Sequence, residues 1–322
     1  MFAPSPVSAA FDQDCRILLD ALPTWPQAPF PEIRRQFAAG RPFLLIGEGS
    51  SQLMPGGFLR ACARAWGWGA AVDAVGGREA QALDLRGHAV VCASNSGRSR
   101  EVVEAMPRLP AGASALVGIP GGPLTRLPHR VLLPRAEAAV PATSSVLLTC
   151  LALGHALADA CGQPLPLAEL RRAVQEVLDE PQPLVQPGGI RRLFWVGSTA
   201  GVGSELGLKT MEATGLAGLD LPGSLGLHGI HEVLEPGDLV VAFDIAEADR
   251  GELRRRVETV CGARLHLPAF PDLGVWTALL QLAYGWRVLA AIAAAMGRDP
   301  AVPRRATKIG NPSLPASAGG AP

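Results

Sequence analysis

Short apolar runs without polar interruption recur along the chain, and most of them stop at a glycine or a serine. Phe43-Leu44-Leu45-Ile46 stops at Gly47, residues 88–93 stop at Ser94, and further runs occupy 115–118 and 131–133. A second series begins with Leu193-Phe194-Trp195-Val196 before Gly197 and continues at 238–243 and 263–267. Strands this apolar have no solvent face. With helical segments between them, they predict parallel sheets covered on both sides. Residues 100–106 and 167–178 read as helices, the second amphipathic, and the Pro- and Gly-rich stretch 180–189 reads as a linker. Residues 275–296 are long and apolar enough for a membrane span, but Gln281 and Arg287 within them predict a core helix.

Both series open alike, with a strand, a glycine, small polar residues and a helix. Gly47-Glu48-Gly49-Ser50-Ser51 and Gly197-Ser198-Thr199-Ala200-Gly201 carry this internal repeat. It predicts an α/β fold of two tandem, doubly wound parallel-sheet domains. They are expected at 41–164 and 165–303, after a helical arm at 1–40 and before a tail at 304–322 that carries Lys308. The Pro/Ala/Gly-rich residues 311–322 read as disordered.

Composition narrows the class. With 322 residues, 48% of them hydrophobic, the chain can bury a large core. Its 29 basic and 29 acidic residues balance, which argues against nucleic acid or an anionic membrane as partner. Residues 1–10 lack the basic-then-apolar order of a signal peptide. Cys15, Cys62, Cys92, Cys150, Cys161 and Cys261 are scattered without a CxxC pair, which predicts reduced, buried thiols in a cytoplasmic protein. No His/Cys/Asp cluster has metal-ligand spacing and no GxGxxG fingerprint occurs, so neither metal nor cofactor is expected.

Of the 29 basic residues, only Lys209 and Lys308 are lysine. Arginine serves wherever charge alone is needed, whereas an amine can lose its proton and act as a nucleophile. The pair is therefore either catalytic or accidental, and its surroundings decide. A second candidate, Ser94-Asn95-Ser96-Gly97-Arg98-Ser99, joins an apolar strand to a helix. Backbone amides, hydroxyls and the positive helix end can converge there on one anion, at the carboxyl end of a strand where doubly wound sheets bind ligands. Arg98 offers a bidentate donor. Plain N-capping by Ser96 or Ser99 accounts for the same residues without a ligand.

The loop Ser94-x-Ser96-Gly97-x-Ser99 resembles the SxSGxT phosphate loop of the SIS (sugar isomerase) family, and Gly49-Ser50-Ser51 resembles that family's first-strand GTS. Residues 137–143 (E-x-x-V-P-A-T) resemble its E-x-x-V-A-A-T segment, although the lysine that follows in the family is Ser144 here. Glu205-Leu206-Gly207-Leu208-Lys209-Thr210-Met211-Glu212 resembles the E-x-A-L-K-x-K-E helix in the isomerase domain of the glutamine–fructose-6-phosphate aminotransferases, the glucosamine-6-phosphate synthases. His228-Gly229 falls at their KHGP histidine. Residues 281–284, 297–300 and 303–308 follow the order of their QLLAY, GxDPD and PRNLxK motifs. The likeness runs from residue 43 to residue 310.

The resemblance implies two flavodoxin-like SIS domains in a metal-independent homodimer acting on a hexose 6-phosphate. Aldose–ketose isomerisation moves a proton between C1 and C2 of an open-chain sugar phosphate. It needs a carboxylate base, a ring-opening group and stabilisation of the enediol or enolamine. By resemblance Glu212 transfers the proton, His228 opens the ring, and Lys308 forms a Schiff base or polarises the carbonyl. Lys209 lies on the catalytic helix, and Ser51, Ser94, Asn95, Ser96 and Ser99 hold the phosphate. Resembling enzymes complete each site with the histidine loop of a neighbour. Glu205, Lys209 and Glu212 are spaced i, i+4, i+7 on one helix face, a spacing that solvated ion-pair ladders share.

Three positions depart from the synthase pattern: Met211 for a lysine, Leu225 for an acid and Ile230 for a proline, with His231-Glu232 close by. His88, His129, His155 and His266 carry no motif and read as structural. A glutaminase half is not expected. That leaves an isomerase, an amino-sugar phosphate deaminase or a deglycase of sugar–amine adducts, with a partner-dependent aminotransferase behind them. A non-catalytic sugar-phosphate sensor is the alternative from another class.

Overall fold

The computed structural model describes residues 15–27, 30–133, 144–180 and 186–299; Lys308, segment 137–143 and the 311–322 tail lie outside them. The described strands form two parallel sheets. The first runs, in spatial order, Val72–Val75 (β2), Phe43–Ile46 (β1), Ala89–Ser94 (β3), Ser114–Val117 (β4) and His129–Leu132 (β5). The second runs Ala217–Pro222 (β7), Arg192–Gly197 (β6), Asp238–Ala242 (β8) and Arg264–His266 (β9). Both orders reverse at the same place in the chain's winding, so β1 neighbours β3 and β6 neighbours β8. Each expected apolar run is a strand. The two strands without such a run, β2 and β7, lie at sheet edges, half-exposed, and carry Asp73 in one and Asp220 and Pro222 in the other.

The apolar runs are buried on both faces because each sheet separates two cores. Phe43, Leu45 and Val91 from the first sheet meet Leu193, Trp195 and Val241 from the second in one central core. Their neighbours along the strands face outward: Leu44, Ile46 and Val90 into one outer core, and Phe194, Val196 and Val240 into another. Helices Leu53–Ala65, Ser144–Ala160, Val202–Thr214 and Thr277–Ala295 contribute to the central core from both halves. Phe58 and Trp66 pack on Trp276 across the halves, with ring centroids 5.5 and 5.8 Å apart. At Gly57 the backbones almost touch, since a Cβ there would lie 2.5 Å from Gly201 Cα.

Helix Thr277–Ala295 is apolar on every side because other elements surround it. Its most apolar window has a mean hydropathy of 1.4, and 83% of that window is buried inside the protein. Both polar residues that broke its sequence pattern have partners. Arg287 donates to the carbonyls of Val177 and Glu180 at the end of helix Leu167–Asp179. Gln281 donates through Nε2 to Asp244 Oδ1 at 2.6 Å. The guanidinium satisfies carbonyls that a helix end leaves without intrahelical partners.

Candidate active site

Beyond β3 the chain turns through Gly97, at φ 63°, into helix Arg100–Ala105. Ser94 Oγ accepts a hydrogen bond from the Gly97 amide at 3.1 Å and lies 2.9 Å from Ser99 Oγ. Ser96 Oγ accepts from the Arg98 amide at 3.2 Å. The Asn95 carbonyl accepts from the amides of Gly118 and Ile119, at 3.1 and 2.7 Å, and so ties the loop to the end of β4. Ser99 occupies the N-cap position but makes no side-chain cap, and Ser96 bonds within the loop. Plain N-capping therefore does not explain the serines. Their hydroxyls shape a curled loop at the switch point of the first sheet, beside the Gly49–Ser51 turn that follows β1.

That turn touches the other half of the molecule. A Cβ at Gly49, which is at φ 52°, would lie 3.7 Å from Leu208 Cδ2, and the Ser50 hydroxyl faces the Glu205 carboxylate. Glu205 and Lys209 are buried on helix Val202–Thr214. Lys209 Nζ lies 2.6 Å from Glu212 Oε2 and 3.9 Å from Glu205 Oε1, and the Glu212 side chain is 34% exposed. One ammonium thus serves two carboxylates, one sealed in and one reaching solvent, which is not a solvated ladder. Burial pushes the Glu205 carboxyl above its ordinary range. The Lys209 ammonium and the Ser50 hydroxyl pull it down, and Glu212 pushes it up. Neither Glu205 oxygen closes a hydrogen bond of good geometry. Lys209 therefore orients Glu212 from beneath and leaves its outer face open.

His228 is exposed at the end of the Gly223–Leu227 turn, which follows β7. Among the described residues no hydrogen bond or ion pair joins it to Glu212, Lys209 or the serine loop. Nearby, His231 Nε2 lies 3.5 Å from Glu232 Oε1. The departures Met211 and Leu225 are both exposed. His155 accepts from Trp25 Nε1 at 3.2 Å, and His266 is hydrogen-bonded to the Tyr284 hydroxyl, which suits structural roles. Burial pushes the Cys92 thiol up to about 12 and raises Cys62 and Cys150 as well, so these thiols are inert.

Sequence reasoning passed over Asp244. It follows β8 as the serine loop follows β3, and is the one described non-glycine residue in the left-handed region, at φ 48°. Carrying the internal repeat one strand further would have found it.

No protein-family model matches the sequence, and no curated protein matches it. Solved structures do. Glucosamine-6-phosphate deaminase from Thermotoga maritima aligns with TM-score 0.72 and 16% identity over 92% of this chain and 98% of that one. Tagatose-6-phosphate ketose/aldose isomerase from Escherichia coli aligns at 0.67 and 16% over 95% and 100%. The C-terminal domain of glucosamine-fructose-6-phosphate aminotransferase from Francisella tularensis aligns at 0.69 and 13% over 91% and 97%. Identities this low speak for architecture alone. The chain has the SIS-like α/β fold that phosphosugar isomerases and a deaminase share.

Proposed function

We propose that the protein is a sugar-phosphate aldose–ketose isomerase or amino-sugar phosphate deaminase, built from tandem SIS domains at 41–164 and 165–303. One observation carries the reading. The turn after β1, which borders the serine loop, packs on the helix of the other half that holds Glu205, Lys209 and Glu212. That packing supports a reading in which the serine loop and the Glu212 carboxylate act on one substrate.

In this reading Ser51 and the loop 94–99 take the phosphate, which orients the open chain toward Glu212. Glu212 moves the proton between C1 and C2, held in place by Lys209 at 2.6 Å. An amino sugar then loses ammonia to water, and a plain sugar is released as the isomer. His228, exposed on its own chain, opens the ring in the site of a second subunit, and Lys308 polarises the carbonyl. The active species is a cytoplasmic homodimer. A deglycase of sugar–amine adducts would share the enolamine step.

A non-catalytic sugar-phosphate sensor is the second reading. It is favoured by the exposure of His228, which no hydrogen bond or ion pair among the described residues joins to Glu212 or Lys209. Proton NMR in D₂O decides between the two. The probes are fructose 6-phosphate, then glucose, glucosamine and galactosamine 6-phosphates. Deuterium entering C1 or C2 is the expected result, and ammonia release separates deaminase from isomerase. Glu212→Gln should slow the exchange by about 10²- to 10⁴-fold. Sugars that raise the melting temperature without exchanging would establish the sensor.

A further inference from the structure

The internal repeat gives the second sheet a switch point of its own, between β6 and β8, and a cavity of about 420 Å³ opens there. Thr199, Asp244, Arg250, Phe270, Asp272 and Gln281 are among the residues that line it. Thr199 belongs to the repeated loop, and the chain after β8 is the counterpart of the serine loop. The chemistry differs between the two. Where the first half offers serines, the second places Asp244, and the helix that follows, Glu247–Arg254, carries Glu247 and Asp249 in its first turn.

At one side of the cavity Gln281 positions the Asp244 carboxylate. Gln281 is 1% exposed; its Nε2 donates to Asp244 Oδ1, which fixes the amide's orientation, and its Oε1 has no hydrogen-bond partner. Burial holds the Asp244 carboxyl above its ordinary range, with the Gln281 bond pulling it down. Asp244 also keeps a strained left-handed backbone, a feature that gathers at ligand sites. The lining also includes Thr199 and Arg250, which is bonded to Glu247 at 2.9 Å and to the Ile245 carbonyl at 3.3 Å but is half-exposed. Phe270 adds an aromatic surface to the lining.

We propose that this cavity is a second binding site, for a small molecule that bears an ammonium group and an anionic group. The ammonium is held by Asp244, which Gln281 Nε2 positions, and the anion by Arg250 and Thr199. An α-amino acid and an amino-sugar phosphate both have this chemistry. The site is separate from the candidate active site: Thr199 and Glu212 lie near opposite ends of one helix, roughly 15 Å apart along its axis. It stands whether or not the protein catalyses isomerisation.

Isothermal titration calorimetry on the full chain tests it. The probes are L-glutamate, L-lysine and L-alanine in one arm and glucosamine 6-phosphate in the other. Glucose 6-phosphate serves as the counterpart without an ammonium. Binding of an amino acid probe should weaken about tenfold or more in Asp244→Asn, which removes the charge, and persist in Ser96→Ala; for glucosamine 6-phosphate, which the serine loop also takes, the same loss is read with Ser96→Ala as the background. Asparagine tolerates the left-handed conformation, so an unchanged circular dichroism spectrum is expected. Arg250→Ala should weaken the same probe. The arm that responds names the source. The proposal is overturned if no ammonium-bearing probe binds, if Asp244→Asn binds it as the native chain does, or if glucose 6-phosphate shows the same dependence on Asp244.

Discussion

Glu205 shows how burial and pairing compete at a single side chain. Its carboxyl is fully buried on the helix that carries Lys209 and Glu212. Because burial raises its pKa above the unfolded value, the folded protein binds more protons than the unfolded chain between the two values. The stability it contributes is therefore complete below the unfolded value, about pH 4, and is lost as pH rises through the folded one. Glu205→Gln removes that loss. Its melting temperature relative to the native chain should climb from pH 4 to pH 8 in thermal unfolding, and a difference flat with pH would refute the assignment. The trio's spacing was legible in the sequence. That two of its members are buried was not, because i, i+4, i+7 repeats look the same on a wet face and a dry one.

Among the elements, helix Leu53–Ala65 joins the first half to the loop that opens the second. Gly57 lets it approach Gly201, and Gly57→Ala would place a methyl 2.5 Å from that backbone. Neither partner there is a flexible side chain, so an expected loss of about 1–3 kcal/mol should appear as a lower denaturation midpoint with an unchanged slope. The strands with two buried faces announced themselves through unbroken apolar runs. The edge strands β2 and β7 did not: one of their faces is wet, and Asp73, Asp220 and Pro222 interrupt the pattern. For helix Thr277–Ala295, Arg287 and Gln281 pointed correctly to the interior, although their partners, Val177, Glu180 and Asp244, lie far away in sequence.

At the scale of the whole molecule, the central core belongs to both sheets. Two units that share a core should unfold together. Tryptophan fluorescence and far-ultraviolet circular dichroism are expected to give coincident denaturation curves. Two separated transitions would mean that 41–164 and 165–303 are independent domains. The same sharing brings the Gly49–Ser51 turn of one half onto Leu208 and Glu205 of the other.

From the sequence alone follow the α/β class, the parallel sheets, the repeat that relates the two halves and the serine loop at the end of β3. These rest on interactions between near neighbours: the burial of successive residues on both faces of a strand, and turn chemistry within a few positions. Only the tertiary structure decided that Lys209 and Glu205 are dry, that Ser50 faces Glu205, that His228 is exposed, and that Asp244 and Gln281 line a second cavity. Each of these depends on residues many turns or strands apart being brought together by the shared core, and spacing along the chain does not encode that distance.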